Sequence, residues 1–185
     1  MALLFSMITL WIVRNMNPRK VDKYFRKLQL LSAAVYSLSH GSNDAQKTIG
    51  IITIVLFTNN MLGETFYVPF WVIIISHSVI ALGTLFGGWK VIKTLGMRVT
   101  KLTPFGGFSA ETAAGLTIIG ATLGGIPVST THTITGAIIG VGSIKGFSAV
   151  RWGVAKNILW AWVLTIPLSA LFAMLTYLIA TGIFN

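Results

Sequence analysis

The chain has 185 residues, of which 54% are hydrophobic and only 10% charged, and its mean hydropathy is +0.79. A water-soluble domain carries roughly 25% charged residues, so a soluble enzyme, a disordered protein and a nucleic-acid binder are all poor readings, and the chain belongs in a lipid bilayer. Its net charge of +10, from 14 Lys+Arg against 4 Asp+Glu, falls mostly in short gaps between apolar runs, where the positive-inside rule accounts for it without a polyanion.

The first apolar run, Ala2 to Val13, is too short to cross about 30 Å of hydrocarbon, which takes about 20 residues. It lacks the basic start and cleavage site of a signal peptide and reads as the end of a truncated transmembrane helix, so that the chain is expected to be a fragment. Arg14 to Lys27 holds six basic residues and one Asp. Pro18 can open a helix there. Val21, Tyr24, Phe25 and Leu28 then share one face and Lys20, Lys23 and Lys27 another, as in an amphipathic helix on a cytoplasmic surface.

Gln29 to Phe57 is a long apolar stretch with a polar insert, and Thr58 to Phe66 is a short loop carrying Glu64. Tyr67 to Trp89 is an uncharged span with Tyr67, Trp71 and Trp89 where an aromatic belt would place them. Pro104 to Gly142 reads as two short apolar pieces split by Gly124-Gly125-Ile126-Pro127, and a re-entrant helical hairpin fits these lengths better than two spans. The spacings Gly120/Gly124 and Gly136/Gly140 permit close helix contact. Trp152 to Ala180 is a final span, kinked or broken near Pro167. The basic segments 14–27, 90–101 and 145–156 belong inside and the Glu64 loop outside. The expected organisation is a truncated helix end over 1–13, a cytoplasmic amphipathic helix over 14–28 and a single transmembrane transport domain over 29–185.

Two polar clusters interrupt the apolar segments. The first, Ser39 to Thr48, puts Asp44 near the middle of a span, where a carboxylate costs about 2.5 to 3.5 kcal/mol on insertion scales. Gly41 with Ser42, Asn43 and Asp44 is a helix-breaking mixture, and a broken helix would free backbone groups at depth to hold ions. Asp44 and Asn43 offer hard oxygens for a small cation of the sodium type, with Gln46 completing the shell and Ser42, Lys47 and Thr48 as further candidates. The bland alternative is a self-neutralising Asp44–Lys47 pair. His40 and Asp44 would share a metal only on a regular helix, which Gly41 argues against. The second cluster, Pro127 to Thr133, puts Ser129, Thr130 and Thr131 just before an apolar run. That is N-cap chemistry, and a half-helix starting there offers amides and hydroxyls to an oxyanion. Plain capping competes with that reading, and His132 stands beside it as a further candidate. Glu111 is either a carboxylate aligned with the helix dipole or a cation ligand. His77 reads as an interhelical hydrogen-bonder. There is no Cys, so disulfides and thiolate metal sites are excluded.

At these residues the chain resembles a family. His40-Gly41-Ser42-Asn43-Asp44-Ala45-Gln46-Lys47-Thr48 is similar to the Asn-Asp signature of inorganic phosphate transporters of the PiT family, in the copy found in the C-terminal half of bacterial members. Pro127-Val128-Ser129-Thr130-Thr131-His132-Thr133 and Phe108 to Glu111 resemble that family's hairpin motifs. The resemblance implies an all-α membrane protein: a transmembrane helix bundle with a broken helix and a re-entrant hairpin, one half of an inverted-repeat transporter. It implies cation-coupled symport of inorganic phosphate by alternating access, with no cofactor, sodium or a proton as coupling ion, and a multi-pass place in the bacterial cytoplasmic membrane. Only one copy of each motif is present, so the expected partners besides phosphate and lipid are a missing N-terminal half or a second copy of the chain. Two other readings stand beside it: an inactive or structural membrane fragment, and a membrane-embedded serine hydrolase built on Ser129, His132 and Asp44.

Overall fold

A computed structural model describes residues 1–184, so the last residue of the expected 29–185 domain lies outside the described residues. Every regular element among them is helical: α1 (Ala2–Val13), α2 (Pro18–Thr58), α3 (Phe70–Lys93), α4 (Pro104–Leu123), α5 (Thr130–Ser143) and α6 (Trp152–Phe184). A π-helical stretch, Thr94–Val99, continues α3, and a short 3-10 turn, Phe147–Ala149, follows α5. The chain divides into two compact units, Met1–Val150 and Arg151–Asn185.

The second unit is α6, apolar along nearly its whole length and long enough to cross a membrane. Pro167 lies inside it without breaking it. In the first unit α3 is the helix both long and apolar enough to cross among the described residues; its Trp71, Ile75, Val79, Phe86 and Trp89 are exposed while Val72 and Ser76 are buried. The side facing away from the bundle is therefore as apolar as the core, the pattern of a lipid-facing helix.

The amphipathic segment is not a separate helix. Asn17 caps α2, its side chain accepting from the Arg19 amide at 3.0 Å with Pro18 at the first helical position, and the helix then runs 41 residues to Thr58. The expected break at Gly41 is absent. A glycine inside a helix costs only about 1 kcal/mol against alanine. The polar side chains beside it bond across to other helices instead of to their own backbone: Asn43 to Thr122 and Asp44 to Thr130. That removes the local competition by which Asn and Asp melt helices. A Cβ built on Gly41 meets nothing within 4 Å. Gly41→Ala should therefore raise stability by about 0.5 to 1 kcal/mol, read as a higher thermal midpoint in detergent; a lower midpoint would restore the interrupted helix.

Helix α4 is the centre of the first unit, packing against α1, α2 and α5. Its buried face is Gly106, Gly107, Ser109, Ala110, Ala113, Ala114, Gly115 and Ile118, small residues that let backbones approach. The α2–α4 pairing holds one register: Ser32 meets Glu111 and Asn43 meets Thr122, both at an offset of 79 residues. The two helices thus run parallel. Phe25, Phe105 and Phe108 stack edge-on near the start of the pairing, with centroids 5.0 and 5.3 Å apart.

That register fixes the depth of the hairpin. Helix α4 ends at Leu123, level with Asp44 of α2, and the chain reverses through Gly124 and Gly125, the latter at φ +67, a conformation open to glycine. Helix α2 continues 14 residues beyond Asp44, about 21 Å at 1.5 Å per residue. The hairpin turns back partway along the span, and its return limb α5, 14 residues, is too short to cross. Of the four glycines expected to serve helix contact, only Gly140 does so: a Cβ there would lie 3.4 Å from the Leu3 amide of α1, whereas Gly120 and Gly136 face open space and Gly124 meets its own turn. Close packing falls instead to Gly106, Gly107 and Gly142, against Val141, Gln29 and Thr100.

Candidate functional site

The interruption expected in α2 is found in the hairpin. Between Leu123 and Thr130 the backbone is non-helical, and its end abuts the middle of α2. Ser129 is the N-cap of α5: its Oγ accepts from the His132 amide at 3.3 Å, and its carbonyl accepts from Thr133 at 3.0 Å. The amides of Thr130 and Thr131, at the first two helical positions, have no intrahelical acceptor. The positive end of the α5 dipole sits there too.

Asp44 stands directly against this helix start. Its Oδ2 accepts from the Thr130 hydroxyl at 3.0 Å and lies 3.3 Å from His40 Nε2; its Oδ1 accepts from Lys47 Nζ at 3.2 Å. Lys47 Nζ also donates to the Val128 carbonyl, in the hairpin loop, at 2.8 Å. The His40 ring is backed by Tyr36, whose hydroxyl is 3.5 Å from Nδ1. Unbroken helix is what makes this cluster: His40, Asp44 and Lys47 share one face only if the turns between them are regular. Thr130 is 2% exposed, while the Asp44 side chain keeps 34% exposure, enough for an ion to reach it.

Asn43 points elsewhere. Its Nδ2 donates to Thr122 on α4 at 3.0 Å, and its Oδ1 is buried with no hydrogen-bond donor. An unpartnered buried oxygen is costly unless something meets it, and a hard cation is a fitting ligand for it. The regular helix turns Ser42 and Gln46 to other faces than Asp44, since residues two apart do not face each other. Thr48 lies one turn beyond Asp44 on its face. Among the described residues none of these three side chains bonds to the cluster, so Gln46 does not complete a shell around Asp44 in this arrangement.

Glu111 is separate. It accepts from Ser32 at 2.6 Å, and the register puts it 12 residues along α2 from Asp44, about 18 Å away at 1.5 Å per residue. One ion cannot be shared by both carboxylates. Glu111 lines a cavity of about 1220 Å³ between α2, α3, α4 and α5, together with Tyr36, His40, His77 and Thr131. His77 bonds the Ile73 carbonyl of its own helix at 2.9 Å, not another helix. Among the described residues no group of three or more His, Cys, Asp or Glu is placed to hold a metal ion. Of the residues named for a hydrolase, Asp44 contacts His40 and the Ser129 hydroxyl oxygen accepts from the His132 amide.

Sequence reasoning passed over Thr122, Ser32 and the Val128 carbonyl. A lone hydroxyl in an apolar helix carries no local signal, and a backbone carbonyl carries none at all. Only the spacing of Thr122 just ahead of Gly124-Gly125 could have placed it at the tip.

Two helices long and apolar enough to cross a membrane, and a hairpin that reverses partway along α2 with a carboxylate against its interrupted backbone, mark the chain as part of an all-helical membrane protein. The phosphate transporter family model matches residues 3–173, and the chain belongs to that family. It is 56% identical over 180 residues to a probable low-affinity inorganic phosphate transporter of Rhizobium meliloti (strain 1021), covering 97% of this chain and 54% of the relative. It is 42% identical over 182 residues to a protein of the same description from Bacillus subtilis (strain 168), covering 98% and 54%. Among solved structures it is similar to one titled the sodium-dependent phosphate transporter, with a TM-score of 0.70 and 32% identity over 87% of this chain and 42% of that one. The chain thus spans about half the length of the relatives it matches.

Proposed function

We propose that this chain supplies half of a cation-coupled symporter for inorganic phosphate, working by alternating access in the cytoplasmic membrane with its basic loops inside. The observation that carries the reading is the Thr130–Asp44 hydrogen bond. It joins a carboxylate suited to a cation to a helix start suited to an oxyanion, and each bound charge offsets the cost of burying the other. Asp44 is the cation ligand at the hairpin, the buried Oδ1 of Asn43 is a separate cation oxygen on the α4 side, and sodium is the coupling ion by analogy with the similar sodium-dependent phosphate transporter.

The hairpin divides the phosphate-binding work. The Thr130 hydroxyl has one proton, and it goes to Asp44, so Thr130 offers phosphate its amide. Ser129, whose oxygen accepts the capping bond, still has its own proton to donate, and Thr131 is exposed toward the cavity with amide and hydroxyl both available. The relatives are about twice as long, and we place the complete transport path in this half joined to a second one, whether continuous in the chain or supplied by another copy.

The test is radiolabelled phosphate uptake by cells deprived of their own uptake systems and expressing the complete gene. Uptake should be saturable and fall when choline replaces sodium. The double substitution Ser129→Ala/Thr131→Ala should raise the half-saturating phosphate concentration by at least about tenfold, since each hydroxyl lost is a hydrogen bond to a charged ligand. Uptake no greater than in cells carrying an empty vector would sink the reading.

A further inference from the structure

We infer that Lys47 is an internal competitor for the coupling cation at Asp44, and is therefore the residue that sets how tightly this half binds that ion; the inference rests on Asp44 being a cation ligand. Of the 14 basic residues, all but Lys47 fall within the three loop segments 14–27, 90–101 and 145–156. The positive-inside rule explains those and leaves Lys47 unexplained, a lysine within an apolar span.

Its contacts say what it does there. The ammonium lies between Asp44 Oδ1, at 3.2 Å, and the Val128 carbonyl, at 2.8 Å. A carboxylate oxygen facing a backbone carbonyl is a ligand pair for a hard cation, and Lys47 matches such an ion in charge and in position. The other carboxylate oxygen is held by the Thr130 hydroxyl and flanked by His40, so Oδ1 is the side on which exchange takes place. The Lys47 and Asp44 side chains are 42% and 34% exposed, and an ion pair that open is weak enough to be displaced. A sodium ion arriving at Oδ1 must push the ammonium aside, which frees its three donors next to the hairpin hydroxyls, where an anion gains from them.

The experiment titrates sodium into the purified transporter, expressed from its complete gene, by calorimetry with choline holding ionic strength constant. Lys47→Gln, which keeps a donor for Val128, and Lys47→Met should each bind sodium up to about fivefold more tightly, the amount a partly exposed pair is worth. Lys47→Arg should stay within about twofold of the parent because it remains a cation. Equal or weaker binding by both Lys47→Gln and Lys47→Met would overturn the inference, as would a tightening that survives in the Asp44→Asn background. Parent-like sodium binding by Asp44→Asn alone would instead bring down the assignment of Asp44. In the unsubstituted protein, sodium should speed acylation of the Lys47 amine relative to the loop lysines, read by peptide mass spectrometry; unchanged or slower acylation would count against displacement.

Discussion

Asp44→Asn should reduce phosphate uptake by about tenfold to hundredfold while leaving the protein folded and inserted. The amide has nearly the shape of the carboxylate, so packing is spared. It loses the charge that faces Lys47 and the Thr130 hydroxyl, and hydrogen bonds to charged groups are worth about 1.5 to 3 kcal/mol each. It also removes the one carboxylate placed at the start of α5. Glu111 cannot take over, because the α2–α4 register holds it well down the helix against Ser32. The measurement is initial uptake rate at saturating sodium, normalised to protein in the membrane. A rate within about twofold of the parent would remove Asp44 from the transport chemistry.

How far such a site is legible in a sequence depends on whether its partners are local. The hairpin was legible: Gly124-Gly125 marks a reversal and Ser129 a cap, and both do their work within a few residues. The entry of α2 was legible for the same reason, since Asn17 and Pro18 act on the turn they begin. The middle of α2 was not. Gly41, Ser42, Asn43 and Asp44 look like a break when weighed against their neighbours in the chain. Their outcome is decided by Thr122 and Thr130, 79 and 86 residues away. Once Thr122 accepts from Asn43 and Thr130 donates to Asp44, continuing the helix costs less than stopping it, and continuity then brings His40 and Lys47 onto the face of Asp44. The same long-range term separates Asn43 from Asp44. Adjacent in sequence and expected to serve one ion together, they are rotated toward different helices, α4 and α5. Which polar residues interrupt the apolar segments was thus readable, and the division of partners among them was set by tertiary register.

Thr130 is where that division can be tested most directly. Its hydroxyl is buried at 2% exposure and donates to Asp44 Oδ2. Thr130→Val keeps the volume and the helix start but puts a methyl against the carboxylate. A hydrogen bond to a charged group is worth about 1.5 to 3 kcal/mol, and Asp44 is partly exposed, so sodium and phosphate half-saturation should both worsen by about tenfold. Thr130→Ser, which restores the donor, should recover most of the loss. The decisive arm is the double substitution. If Thr130 acts through Asp44, Thr130→Val should cost little more in the Asp44→Asn background, leaving a coupling energy of about 1 kcal/mol or more in the cycle. If the hydroxyl served phosphate directly, the two losses would add, and the hydrogen bond would be a feature of packing alone.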